Sequence, residues 1–472
     1  MGYFDLDPNR ACALVLEAFA AQPANDAFMR LLPAFSADAV AQLLGFQCAR
    51  HAGGGAAPEG MYTAAAKLVR DGHVALEALL AHLSPTDEEL AAQAAEGRAA
   101  LAQAVKRIGV ISLTGGGDDA ADAGGAGTQL RRTGQTAAAL LLDPLPFAAH
   151  LAGPDGGACN QRLCLLAGLL RAGAWEQAVR LMRWLAALGV SDVGIYPVVG
   201  AALCSLVAAE LAPQYARLHP RGVREEMASG AATAAAADAP PPPLPPPQLS
   251  DRLLELLRMT GHHLYHDVAT LTRVVRVVRA VLASAGAAPA QAAAALEVLT
   301  ANVLPAASLL PGNAALALEV WAALGPLPYP QRFSAYGDLA AAAAASPLLT
   351  AAAKLAETEV RRVLRRVVKP TTKREARTTM RPLGRMLAKI AHAAPLPVAE
   401  QLLSQVMYMA GLGPAVAEAL AFLTPHAFDV LTFAVLRQLS APKRKLKEDG
   451  VNLEEWVQAL AAFTGALCKK HE

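Results

Sequence analysis

The sequence predicts an all-α protein, an irregular α-solenoid of stacked helical hairpins, and three observations carry that expectation. Alanine and leucine, the strongest helix formers, dominate a chain that is 54% hydrophobic and only 5% aromatic. Apolar positions recur at intervals of three and four, and few alternate over any length. Proline and glycine fall at short intervals where turns between helices are needed. A hairpin of this kind cannot cover its own apolar face and must lean on its neighbour. No fixed-period consensus of the tetratricopeptide or ankyrin type is present, so the repeats are irregular.

The blocks follow in order. Residues 1–112 form a helical block. Its first helix opens at Asp7-Pro8-Asn9, a cap followed by a first-turn proline, and buries Cys12, Val15, Leu16 and Phe19. A later helix opens at Ser84-Pro85-Thr86-Asp87-Glu88, read with Pro85 in the first turn and the acids against the helix dipole. A Gly/Asp/Ala-rich linker fills 113–140. Its Gly115-Gly116-Gly117 lacks the Gly-Lys-Ser/Thr and the preceding strand of a phosphate loop. A second block, 141–222, holds helices over Leu163–Gly173, Trp175–Leu188 and Ile195–Leu211. The Pro/Ala-rich stretch 223–249, with its run Pro240–Pro243, reads as a disordered or polyproline II spacer. Residues 250–350 are helical again, and 351–472 form the last helical domain. There Trp456, Leu460 and Phe463, with Leu453, mark the buried face of a final helix.

Composition excludes several classes. With 42 basic and 40 acidic residues the net charge is +2, so any affinity for nucleic acid must come from a local patch. The six cysteines, 12, 48, 159, 164, 204 and 468, include no CxxC pair and read as small buried hydrophobes in a reducing compartment. The longest apolar run, Ile195 to Ala209, stops at Glu210 before it reaches spanning length. No signal-peptide pattern opens the chain, and no motif implies a cofactor or a catalytic centre.

Four clusters carry candidate chemistry. His262-His263-x-x-His266 places His262 and His266 on one face if the segment is α-helical, a spacing that can ligate zinc, but no third ligand is evident and a structural cluster is the simpler reading. Trp321 followed by Tyr329, Arg332, Phe333 and Tyr336 reads as a satellite core that locks two helices. Pro442-Lys443-Arg444-Lys445-Leu446-Lys447 has the composition of a nuclear localisation signal or of an ordinary basic turn. The strongest cluster is basic. Arg361, Arg362, Arg365, Arg366 and Lys369 recur at four-residue spacing, and Lys373, Arg374, Arg377, Arg381, Arg385 and Lys389 continue the charge with only Glu375 against it. Such an array suits phosphates or an acidic protein surface, or else pairs with acids of a neighbouring helix. Aromatics for base stacking are absent from it.

The chain also resembles the THO complex subunit 2 family. The likeness rests on collinear segments: Tyr3-Phe4-Asp5-Leu6-Asp7-Pro8-Asn9-Arg10, Leu43-Leu44-Gly45-Phe46, Gly60-Met61-Tyr62 and Asn160-Gln161-Arg162-Leu163-Cys164 with Gly173-Ala174-Trp175. Gly261-His262-His263-Leu264-Tyr265, Leu309-Leu310-Pro311-Gly312-Asn313, Leu327-Pro328-Tyr329-Pro330-Gln331-Arg332-Phe333, Leu383–His392, Phe422-Leu423-Thr424 and the final helix follow in order. The resemblance implies a non-catalytic nuclear scaffold that couples transcription to mRNA packaging and export. It implies other THO subunits and a DEAD-box RNA-dependent ATPase as partners, and mRNA contacted indirectly or weakly. It further implies that 351–472 resembles the middle domain of translation initiation factor 4G, and that the basic face meets protein first and RNA second. The family continues beyond the segments matched, into a basic tail, so this chain reads as an N-terminal or central portion. An organellar helical-repeat RNA-binding protein is the alternative that composition allows.

Overall fold

Helix starts are encoded in this chain as side-chain caps, and the computed structural model shows them made. It describes residues 6–51, 58–109, 157, 159–218, 247–284, 288–366, 380–409, 411, 413–448 and 451–471. The expected linker 113–140, residues 223–246 of the expected linker 223–249, Gly53-Gly54-Gly55 and the opening Tyr3-Phe4-Asp5 lie outside the described residues. Among those described, every regular element is a helix, and the one β contact is an isolated bridge between Leu446 and Leu453. The all-α expectation holds.

Contacts divide the chain into two units, residues 1–100 with 148–210 and residues 101–147 with 211–472. The first is built from α1 (Pro8–Ala21), α2 (Ala27–Leu31), α3 (Ala37–Ala49), α4 (Glu59–Arg70), α5 (Leu76–Leu80), most of α6 (Asp87–Gly109), α7 (Gln161–Arg171), α8 (Trp175–Ala187) and most of α9 (Pro197–Ala216). Asp7 Oδ1 accepts the Asn9 N–H at 3.0 Å, with Pro8 in the first turn. At α6, Thr86 Oγ1 accepts the Glu89 N–H at 3.3 Å and Glu89 Oε2 accepts the Thr86 N–H at 2.9 Å, a capping box. Thr86 is therefore the cap, and Pro85 precedes the helix instead of occupying its first turn.

Helix α4 packs against α1 and α7. A Cβ at Gly168 of α7 would lie 2.7 Å from the Tyr62 carbonyl oxygen, so only glycine permits this backbone approach. The buried Gln161 side chain ties three elements together. Its amide donates to the Cys48 carbonyl at 2.6 Å and its carbonyl accepts the Ser84 N–H at 3.0 Å, which satisfies both ends of a polar group held away from water.

Helix α9 corrects the sequence reading. Expected over Ile195–Leu211, the helix starts at Pro197 and runs through Pro213 to Ala216, and although the apolar run was expected to fall short of spanning length at Glu210, its 20 residues are long and apolar enough, by length and composition, to cross a membrane. The residues that make it so apolar include Val199, Ala202, Leu203, Cys204, Val207 and Leu211, which are buried inside the protein.

The second unit continues with α10 (Asp251–Thr260), α11 (Val268–Ala283), α12 (Pro289–Val298), α13 (Leu304–Ser308), α14 (Ala314–Leu324), α15 (Tyr329–Ala345) and α16 (Pro347–Leu364). Beyond them lie α17 (Arg381–Ala393), α18 (Pro395–Tyr408), α19 (Gly413–Ala419), α20 (Pro425–Ser440) and α21 (Glu455–Lys470). Neighbours pack as successive hairpins: α11 on α14, α15 on α16, α16 on α18, α18 on α20, and α21 on α18 and α19. Proline stands at the first or second position of α12, α13, α15, α16, α17, α18 and α20. At α12, α16, α18 and α20 it is the first helical residue, where its missing N–H is unpaired anyway and it biases the preceding residue away from the helical region, as a cap needs. Ser346 and Thr424, both extended, cap α16 and α20 through their hydroxyls. Between α12 and α13 the ladder widens to a π-helical turn, Leu299–Val303, in which buried Asn302 donates to the carbonyls of Leu257 (2.6 Å) and Gly261 (2.9 Å).

The last helix begins at Glu455, later than the sequence pattern implied. Leu460 and Phe463 are buried as expected, each contributing about 1.5–3 kcal/mol. Leu453 is 43% exposed, because it belongs to the bridge with Leu446 and precedes the helix.

Candidate partner-binding face at α16 and α17

The C-terminal turn of α16 collects Arg361 and Arg362, where cations favour the negative end of the helix dipole. Both are ion-paired on their own helix, Arg361 half-buried and Arg362 exposed. Arg361 donates Nε–H to Gln401 Oε1 of α18 at 3.0 Å and pairs with Glu357 at 3.3 Å. Arg362 pairs with the carboxylate of Glu359, a residue buried in the helix interface. The acids that answer these two arginines thus come from α16 itself, one turn back. Arg365 and Arg366 follow the last helical residue and are exposed.

On α17 the apolar face buries Leu383, Leu387, Ile390 and Ala391. Gly384 sits against α19, where a Cβ would lie 2.2 Å from the Ala419 carbonyl oxygen. Arg381, Arg385 and Lys389 occupy positions i, i+4 and i+8, so they form one exposed stripe on the opposite side. The Arg385 guanidinium lies 5.4 Å over the Phe422 ring, which steadies it without removing its charge. Among the described residues no carboxylate pairs with Arg365, Arg366, Arg381, Arg385 or Lys389. Like charges at four-residue spacing cost a few tenths of a kcal/mol per pair, so this stripe is not there for helix stability. Of the remaining candidates, Lys369, Lys373, Arg374 and Arg377 lie outside the described residues. The structure therefore separates two arginines paired with carboxylates from five exposed cations that have none among the described residues.

The aromatic turn after Trp321 is a lock. Arg332 donates to both oxygens of Asp429 on α20, Nε–H at 2.9 Å and Nη2–H at 3.1 Å, and also caps the carbonyls of Gly325 and Leu327. Its guanidinium lies 5.5 Å over Trp321 and 5.4 Å over Tyr329. Tyr336 donates its hydroxyl to Asp429 at 2.8 Å, and burial together with that carboxylate pushes its pKa far upward. Phe333 and Tyr336 meet Phe433 edge-on, and His426 lies beside Trp321 and Tyr336. The sequence exposed one half of this lock. Asp429, 97 residues from Arg332, carries no spacing signal that would have found it, and the same holds for Gln401, 40 residues from Arg361.

The histidine reading is corrected. Gly261–His266 is a 3-10 helix, so His262 and His266 are about 120° apart and share no face. His263 and His266 stack instead, with ring centroids 6.3 Å apart. The basic segment 443–447 is an ordered turn: Lys447 N–H reaches the Asn452 carbonyl at 2.7 Å, Glu454 N–H that of Lys445 at 2.9 Å, and Trp456 Nε1–H that of Arg444 at 3.0 Å.

This architecture defines a class: an all-α array of packed helical hairpins that presents a cationic surface. Comparison with known proteins specifies it. Residues 247–377 match the family described as THO complex subunit 2 N-terminus, and residues 387–461 match that of the transcription- and export-related complex subunit. The chain is 31% identical over 500 residues to THO complex subunit 2 of Arabidopsis thaliana, covering 100% of this chain and 26% of that protein. Against human THO complex subunit 2 it is 25% identical over 490 residues, covering 100% and 28%. Against the Saccharomyces cerevisiae protein it is 26% identical over 168 residues, covering 35% and 10%. The chain belongs to the THO complex subunit 2 family, and it spans about a quarter of the length of its plant and human relatives.

Proposed function

We propose that this chain works as a non-catalytic scaffold within a THO complex in the nucleus, coupling transcription to mRNA packaging and export. Its hairpins hold other THO subunits. Its last domain, 351–472, acts as a platform of the initiation-factor-4G middle type for a DEAD-box RNA-dependent ATPase. The observation that carries the reading is similarity to proteins named THO complex subunit 2 over the whole of this chain. The outward cations Arg365, Arg366, Arg381, Arg385 and Lys389 support a protein-binding role first and an RNA-contacting role second. The one aromatic ring that lies against these cations among the described residues is Phe422, and it is taken up by Arg385.

The test is capture from nuclear extract by the 472-residue chain, with and without nuclease. Recovery of other THO subunits and the helicase after nuclease is the expected outcome. Recovery of RNA-dependent proteins alone, lost with nuclease, would overturn the scaffold reading. Charge reversal at Arg365 and Arg366 should abolish helicase capture while leaving the circular dichroism melt unchanged. Retained capture would remove these residues from the interface.

A further inference from the structure

An open trough of about 290 Å³ runs between α20 and α21. Leu439 forms one wall, and Val457, Ala461, Thr464, Gly465 and Cys468 form the other, so its lining carries no charge. Leu436, one turn before Leu439, is exposed as well. From Val457 to Cys468 the wall extends about 16 Å, three turns of helix. A Cβ at Gly465 would meet nothing within 4 Å, so this stretch of wall is open to an incoming side chain.

Both ends of the trough are positive. At the Val457 end, the bonds from Trp456 and Glu454 to the Arg444 and Lys445 carbonyls pin the basic turn onto the start of α21. Within that turn Arg444 is answered by Glu448 and Glu454, and Lys447 by Glu455. Lys443 reaches only the Gln438 amide, and Lys445 is exposed without a carboxylate among the described residues. At the Cys468 end Lys470 pairs with Glu418, whereas Lys469 is exposed and has no carboxylate partner among the described residues. Among the described residues, four cations face three carboxylates at the Val457 end, and Lys469 and Lys470 face Glu418 at the Cys468 end, so each end keeps a surplus of one positive charge.

We infer that this trough is a docking groove for an amphipathic helix of a partner protein, about three turns long, with an apolar stripe and acidic residues at its flanks. The uncharged lining and its length select a helix laid along the groove. The surplus of lysine at both ends selects Asp and Glu beside the stripe. This surface is separate from the cations of α16 and α17 and does not depend on what they bind.

Two designed helical peptides of roughly sixteen residues test it, both with leucines at i, i+4, i+7 and i+11, one flanked by glutamates and one by lysines. Binding to the 472-residue chain is read by fluorescence anisotropy. The acidic peptide should bind at least about tenfold more tightly. The double variant K445E/K469E should erase that preference, and Gly465→Leu should block binding, with melting temperatures unchanged. Equal binding of the two peptides, no binding, or indifference to Gly465→Leu would overturn the proposal. So would sedimentation showing a dimer of the chain that Gly465→Leu disperses, because the occupant would then be a second copy.

Discussion

Acidification is the sharpest probe of the lock around Asp429. His426 is buried between Trp321 and Tyr336, and burial lowers its pKa from 6.5 to about 4, with the Asp429 carboxylate pulling the other way. At pH 7 the imidazole is neutral in both the folded and unfolded chain, and stability is unaffected. Below 6.5 the unfolded chain takes a proton that the folded chain refuses, so stability falls with pH until about 4, where the folded state protonates as well. At pH 5 the loss is about 2 kcal/mol, and the whole window is worth about 3 kcal/mol at 1.36 kcal/mol per unit. Native-state hydrogen exchange read by mass spectrometry on peptides from α15 and α20 measures the local opening energy. His426→Leu separates this residue from carboxylates that titrate in the same range, because it changes the offset but removes only this slope. If the wild type and His426→Leu lose the same protection between pH 7 and pH 5, the imidazole is not held neutral by its surroundings and the reasoning fails.

Three further outcomes are expected. Asp429→Ala leaves Arg332 half of a broken buried pair and strips the Tyr336 hydroxyl of its acceptor, so α20 should lose about 3–5 kcal/mol of local stability by the same exchange measurement. Gly384→Ala forces a methyl against the Ala419 carbonyl and should lower the urea midpoint of the second unit by at least about 1–3 kcal/mol equivalent, although alanine is the better helix former. Thr86→Ala removes the hydroxyl half of the α6 capping box and should cost about 1 kcal/mol, seen as faster exchange confined to the first turn of that helix.

Local chemistry was readable from the chain and distant pairing was not. Asp7-Pro8-Asn9 marked the start of α1, and Pro330, Pro382, Pro395 and Pro425 marked the starts of α15, α17, α18 and α20, because caps and prolines act on their own neighbours. The start of α6 was misplaced by two residues' worth of chemistry, because Ser84-Pro85 offered a plausible cap before the true box at Thr86 and Glu89. Helix α9 runs past its predicted end at Leu211, with Pro213 inside it. The basic stretch was legible as charge. Which cations face outward was decided by Glu357, Glu359 and Gln401, two of them on the same helix and one on α18. Of the histidine reading only the shared face of His262 and His266 fails, because a 3-10 turn replaces the α-helix which that spacing assumed.

The prolines that open α15, α16, α17, α18 and α20 have an effect no contact reveals. Pro330, Pro347, Pro382, Pro395 and Pro425 take positions whose N–H groups would go unpaired in any residue, so the folded state loses nothing by them. They narrow the conformations open to the unfolded chain instead, each by about 0.4–1 kcal/mol and together by about 2–5 kcal/mol. The hairpin joints of the second unit are therefore strengthened by what the denatured chain is forbidden to do, a contribution that replacing the exposed Pro330, Pro347, Pro382 and Pro425 with alanine would remove without emptying any buried site.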